Sequence, residues 1–202
     1  MDEMDIMKRL TEYFELLNPS SSYLISFSPF FVNQASSSLM KYMVNERGKS
    51  GLYVCIGRPH IFIEKIFSSR NVDSRSITFM DMALHIGGKK DRFGNNSRID
   101  LPEERKMELP ARFRLFRHDQ ELKSVSFDDI DFVCIDNLTE LFVYNSREQI
   151  GEFIKSFFDI TKEMNKGLFL YDLKSVNSAS IMEWAEEMGI EQIEIPDSVL
   201  RD

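Results

Sequence analysis

Long apolar runs are missing from this chain. No stretch of its 202 residues approaches the ~20 consecutive apolar positions of a membrane-spanning helix, so no membrane partner is expected. The first residues, MDEMDIMKRL, lack the basic and apolar regions of a signal peptide, and the expected location is cytoplasmic. Cysteine is scarce: Cys55 and Cys134 both sit inside apolar runs, YVCIG and FVCID. That setting fits small buried hydrophobes and argues against a disulfide or metal pair. The three histidines, His60, His85 and His118, lie in separate segments without metal-ligand spacing and read as surface or loop residues. There is no G-x-S-x-G elbow and no Cys–His pairing for nucleophilic catalysis. A net charge of −8 argues against non-specific nucleic-acid binding by the whole surface.

What is present is an apolar content of 43% with 12% aromatics, enough for one domain, residues 1–202, with a substantial core. Apolar positions at Ile6, Leu10, Tyr13, Phe14 and Leu17 predict a helix over about 2–17, stopped by Asn18-Pro19. Tyr23–Phe31 reads as the first strand. A helix over 33–47 follows, with Leu39, Met40, Met43 and Val44 inward and Gly48 closing it. Gly51–Gly57 is the second strand, Pro59 suits the first turn of the next helix, and Ser76–Met80 is a third short strand. After a break come a helix with a Ser146/Gln149 capping box, the strand Gly167–Leu173, a helix with a Ser180/Glu183 capping box closed by Gly189, and the strand Ile190–Ile195. Strands alternating with helices in this way give an α/β fold with a mainly parallel sheet and helices on both faces.

Residues 83–125 interrupt the alternation with GGKK, GNN, two prolines and little periodicity, and read as an irregular insertion. Between Lys89 and Arg117 nine basic residues stand against five acidic ones, a surplus of four, which leaves −12 on the rest of the chain. Lys89, Lys90, Arg112, Arg114 and Arg117, interleaved with Phe93, Phe113 and Phe116, are candidate contacts for an acidic protein partner or for nucleic acid. ARFRLFRH equally alternates like an exposed edge strand. The stretch ALHIGGKK over 83–90 approaches a phosphate-binding loop, but it ends on Lys90 without a hydroxyl, and DRFGNNS after it favours turns over a helix.

The organising stretch is DFVCIDNLTELFVYN, 131–145. Phe132, Val133, Cys134 and Ile135 fit a strand buried on both faces, and Asp136 ends it where open α/β sheets bind ligands. Asp128, Asp129 and Asp131 precede that strand. Asp131 and Asp136 are on the order of 16 Å apart at ~3.3 Å per residue, too far to share an ion. Asp128 and Asp129 read as a solvated turn, and no metal site is expected.

Over roughly residues 20–195 these pieces resemble the RecA/KaiC-like branch of the P-loop ATPases. GLYVCIGRPHIFIEKIF looks like that family's strand and helix after the P-loop helix, IDFVCIDNLTEL like its Walker B strand, and the following helix and GLFLYDL like its next unit. The resemblance implies a three-layer RecA-like domain. The departures are specific. Where the family has G-x-x-x-x-G-K-[ST], residues 28–38 read SPFFVNQASSS, with no glycine, no lysine, and Phe30 and Phe31 where backbone must wrap phosphate. Where its catalytic glutamate follows the second strand stand Gly57 and Arg58, and a guanidinium does not act as a base at neutral pH.

The expectation is therefore a RecA/KaiC-like domain with no catalytic residues and no cofactor. It would act as a binding or regulatory module through a protein partner or by oligomerising. The alternative is a nucleotide-binding protein or ATPase holding ATP and Mg²⁺ in an atypical cradle of Asn33, Arg58, Asp136 and Asn137. The second alternative is nucleic-acid binding through 89–117.

Overall fold

A computed structural model describes residues 3–82, 127–143 and 145–197. Helix α1 (Glu3–Phe14) buries Ile6, Leu10 and Phe14, one residue per turn, against α2 (Val32–Met40). Strands β1 (Ser22–Ser26), β2 (Gly51–Cys55), β3 (Ile77–Asp81), β4 (Phe132–Ile135), β5 (Gly167–Asp172) and β6 (Glu191–Glu194) form one sheet in the order β3-β2-β4-β5-β1-β6. Every pairing among the described residues is parallel. Strands β2, β4 and β5 are buried along their whole length, as continuous apolar strands in a sheet covered on both faces must be.

The direction of each crossover decides the face its helix takes. From β1 to β2 and from β2 to β3 the chain moves one way along the sheet. From β4 to β5 and from β5 to β6 it moves the other way. Right-handed crossovers then place the connecting helices on opposite faces, and the two cores follow that division. One joins α1, α2 and α3 (His60–Ser69) to Tyr53, Cys134, Phe169 and Tyr171. The other joins α4 (Leu138–Leu141), α5 (Arg147–Glu163) and α6 (Ser178–Met188) to Leu52, Val133, Leu168 and Leu170. This is the expected three-layer α/β architecture. Both cysteines are buried, and neither is in a disulfide.

Some local expectations are corrected. Strand β1 stops at Ser26 instead of reaching Phe31, because Pro29 has no N–H for the ladder and Pro29–Phe31 closes a 3-10 turn. The second helix remains α-helical only to Met40. Lys41–Glu46 is a π-helix, and within it Asn45 is fastened through both ends of its amide to Asn71 and Asp73. The capping box at Ser146 and Gln149 is formed, but that at Ser180 and Glu183 is not. Helix α6 starts earlier, at Ser178, whose hydroxyl bonds the buried Asp172, while Glu183 pairs with Arg147. Gly48 and Gly189 take the left-handed conformation that ends each preceding helical segment. His60 is not a surface residue: it opens α3, is 8% exposed, and lies 6.0 Å from the Phe79 ring.

At Gly167 the backbone of Pro19 packs directly against the start of β5. A β-carbon there would lie 2.1 Å from the Pro19 carbonyl oxygen. Gly167→Ala should lower the unfolding free energy by roughly 1–3 kcal/mol in urea titration, the usual cost of overpacking against backbone. Ser146→Ala, which removes a cap, should cost about 1 kcal/mol.

Candidate functional site at the carboxyl ends of the strands

Adjacent strands whose following helices leave on opposite faces open a crevice at their carboxyl ends. Among the described residues the sheet has two such places, between β2 and β4 and between β1 and β5. Each holds a buried aspartate, and the two are compensated by different chemistry.

In the β2/β4 crevice Asp136 is 1% exposed. Its Oδ1 accepts the Ile56 N–H at 2.8 Å, so the carboxylate fastens the end of β4 to the end of β2. Its Oδ2 lies 3.7 Å from the Arg58 guanidinium. Arg58 also donates to Asn33 Oδ1 at 2.6 Å, which joins the start of α2 to the same cluster. Asn137 follows in the left-handed conformation, φ 53°, and caps α4. Its side-chain nitrogen donates to Glu140, whose carboxylate lies over Gly57. Burial pushes the Glu140 carboxyl above its ordinary range, against the opposing pull of Arg58 and the Asn137 bond. Beneath α2, burial raises Tyr53, Cys134 and Tyr171, and the charge of Asp136 adds to each shift.

In the β1/β5 crevice Asp172, also 1% exposed, is met by hydroxyls. Its Oδ1 accepts from Ser178 at 2.9 Å and Thr139 at 3.3 Å, and its Oδ2 accepts from Ser26 at 3.2 Å. These bonds hold the starts of α4 and α6 against the end of β1.

Of the residues singled out in the sequence, Asn33, Arg58 and Asp136 share one network, and Asn137 stands beside it with its amide nitrogen turned to Glu140. Asp131 lies at the opposite end of β4, held by the Ser50 N–H at 2.9 Å and by Lys49 at 3.2 Å. Asp128 and Asp129 are exposed in a turn. Lys89, Lys90, Arg112, Arg114 and Arg117 lie outside the described residues, as do His85, His118 and the ALHIGGKK stretch. Phe30 is 83% exposed at the turn that follows β1.

The sequence reading missed Glu140 and Asp172. FLYD in β5 repeats the pattern of apolar residues ending on aspartate that marked Asp136, so the same rule would have found Asp172. The signal for Glu140 was an acid in the first turn after a strand-terminal aspartate.

No protein-family model matches the chain, and no curated protein matches it in sequence. Among solved structures it is similar to a KaiC-like protein from the hyperthermophilic archaeon Pyrococcus horikoshii OT3. The identity is 12%, the match covers 90% of this chain and 74% of that one, and the TM-score is 0.52. At that identity the likeness is one of fold, and the fold is RecA/KaiC-like.

Asp136→Ala would strand the buried Ile56 N–H and leave Arg58 without its carboxylate. A loss of about 1–3 kcal/mol is expected by urea unfolding, with a smaller loss for Asp136→Asn, which keeps an acceptor. At Asp131, burial pushes the carboxyl up, but the Ser50 N–H bond and Lys49 outweigh it and hold it below the ordinary value. A depressed carboxylate stabilises the fold above its unfolded pKa, and that contribution is lost as pH falls through the folded one. Asp131→Asn should therefore destabilise at neutral pH, by an amount that shrinks as pH drops below about 4.

Proposed function

We propose that this RecA/KaiC-like domain does not hydrolyse ATP and acts as a binding or regulatory module, through a protein partner or a second copy of itself. One observation carries the reading: the guanidinium of Arg58, 3.7 Å from Asp136 Oδ2, is a fixed cation beside the carboxylate that would order a magnesium ion. The other carboxylate oxygen is already engaged by the Ile56 N–H. The residues present do not fit a magnesium nucleotide. The chain after β1 supplies no glycine, lysine or wide loop for phosphates, but a 3-10 turn with Phe30 outward. Beyond β2, where the base would stand, are Gly57 and Arg58, and a guanidinium stays protonated and cannot orient water as a base.

A second reading has one observation in its favour. Asn33, Arg58 and Asp136 meet, as an atypical phosphate cradle would require. Nucleotide titration followed by thermal unfolding separates the two readings, since a ligand bound tightly to the folded state raises the melting temperature.

The direct test is ATP turnover with magnesium at neutral pH. Hydrolysis at the level of the buffer blank is expected for the wild type and for Asp136→Ala alike. Turnover by the wild type that disappears in Asp136→Ala would overturn the reading.

A further inference from the structure

The Glu140 carboxylate occupies a place shaped for an anion. A β-carbon on Gly57 would fall 1.8 Å from Glu140 Oε2, so the missing side chain is the space that the carboxylate fills. An Asn137 N–H donates to it, and the Arg58 guanidinium attracts it. Bare backbone, an amide donor and a guanidinium are the groups that recognise oxyanions. The occupant is tethered through a flexible side chain on a four-residue helix, with its carboxylate half-buried at the edge of solvent. Partial burial raises its carboxyl, so the ionised group is held at some cost.

We propose that Gly57, Arg58 and Asn137 form an oxyanion seat that the protein keeps closed with its own Glu140, and that a phosphate or carboxylate ligand takes when Glu140 leaves. The contact is autoinhibitory. A competing anion must displace Glu140, and the displaced side chain has open solvent to move into. Arg58 then serves two anions at once, holding Asp136 on its inner side and the ligand on its outer side. This inference rests on the reading of a crevice closed to magnesium nucleotides, but it concerns a bare oxyanion and a different carboxylate.

The test is titration of the full chain at pH 7 with inorganic phosphate and, separately, with acetate, followed by amide chemical shifts. Wild type should bind both weakly. Glu140→Ala and the isosteric Glu140→Gln should tighten at least one of them tenfold or more, and Arg58→Lys in the Glu140→Gln background should abolish the gain. A gain confined to phosphate assigns the seat to free or esterified phosphate, and one confined to acetate assigns it to a carboxylate on a partner. Equal affinity in wild type and both Glu140 variants would overturn the proposal, as would a gain that survives Arg58→Lys. The two failures are distinguishable: ATP turnover by the wild type sinks the non-hydrolysing reading alone, whereas an inert wild type with unresponsive Glu140 variants sinks only the seat.

Discussion

A carboxylate buried to 1% exposure must find its compensation inside the protein, and Asp136 finds it across the sheet. An uncompensated buried charge costs several kcal/mol, so the groups that meet it are as constrained as the charge itself. The Ile56 N–H fixes the end of β2, and Arg58 fixes the loop entering α3 and, through Asn33, the start of α2. One aspartate thereby aligns the carboxyl ends of two strands with the helical layer above them.

The opposite layer is tied down by other means. Asp172 meets hydroxyls from β1, α4 and α6, bonds that anchor helix starts without bringing a second formal charge into the crevice. Around Asp136 a cation is built in. Around Asp172 the acceptors are occupied by the hydroxyls of Ser26, Thr139 and Ser178. At the mouth of the first crevice stand two charged side chains, Arg58 and Glu140.

Much of this was legible in the sequence because burial on both faces leaves a plain mark. FVCI and GLFLYD are continuous apolar runs, and their helices carry apolar faces at helical spacing, so the α/β class and strand positions follow from local pattern alone. The terminal aspartate of β4 stood out for the same reason. What was not legible depends on tertiary contact. Nothing local marks Lys41–Glu46 as a π-helix, since Asn45 is held there by a distant turn. Ser180 and Glu183 make a sound capping pattern, yet Asp172 recruits Ser178 and starts the helix earlier. Asn33, Arg58, Asp136 and Asn137 were named together in the sequence as an alternative nucleotide cradle, without the bond from Arg58 to Asn33. That Arg58 neutralises Asp136 could be judged only from their separation. Glu140 went unnoticed because its significance lies in Gly57, far away in sequence and directly beneath it in space.

On the proposed reading, three features at the strand ends act together. A guanidinium stands by the strand-terminal carboxylate, a second carboxylate covers the glycine beside it, and the turn after β1 points a phenylalanine at solvent. The account is tested most directly by a crystal structure grown with magnesium and a non-hydrolysable ATP analogue. It predicts Arg58 still bonded to Asn33 and facing Asp136, with no nucleotide at the carboxyl ends of β1 and β4. A nucleotide bound there, with magnesium ordered by Asp136 and Arg58 displaced, would contradict it.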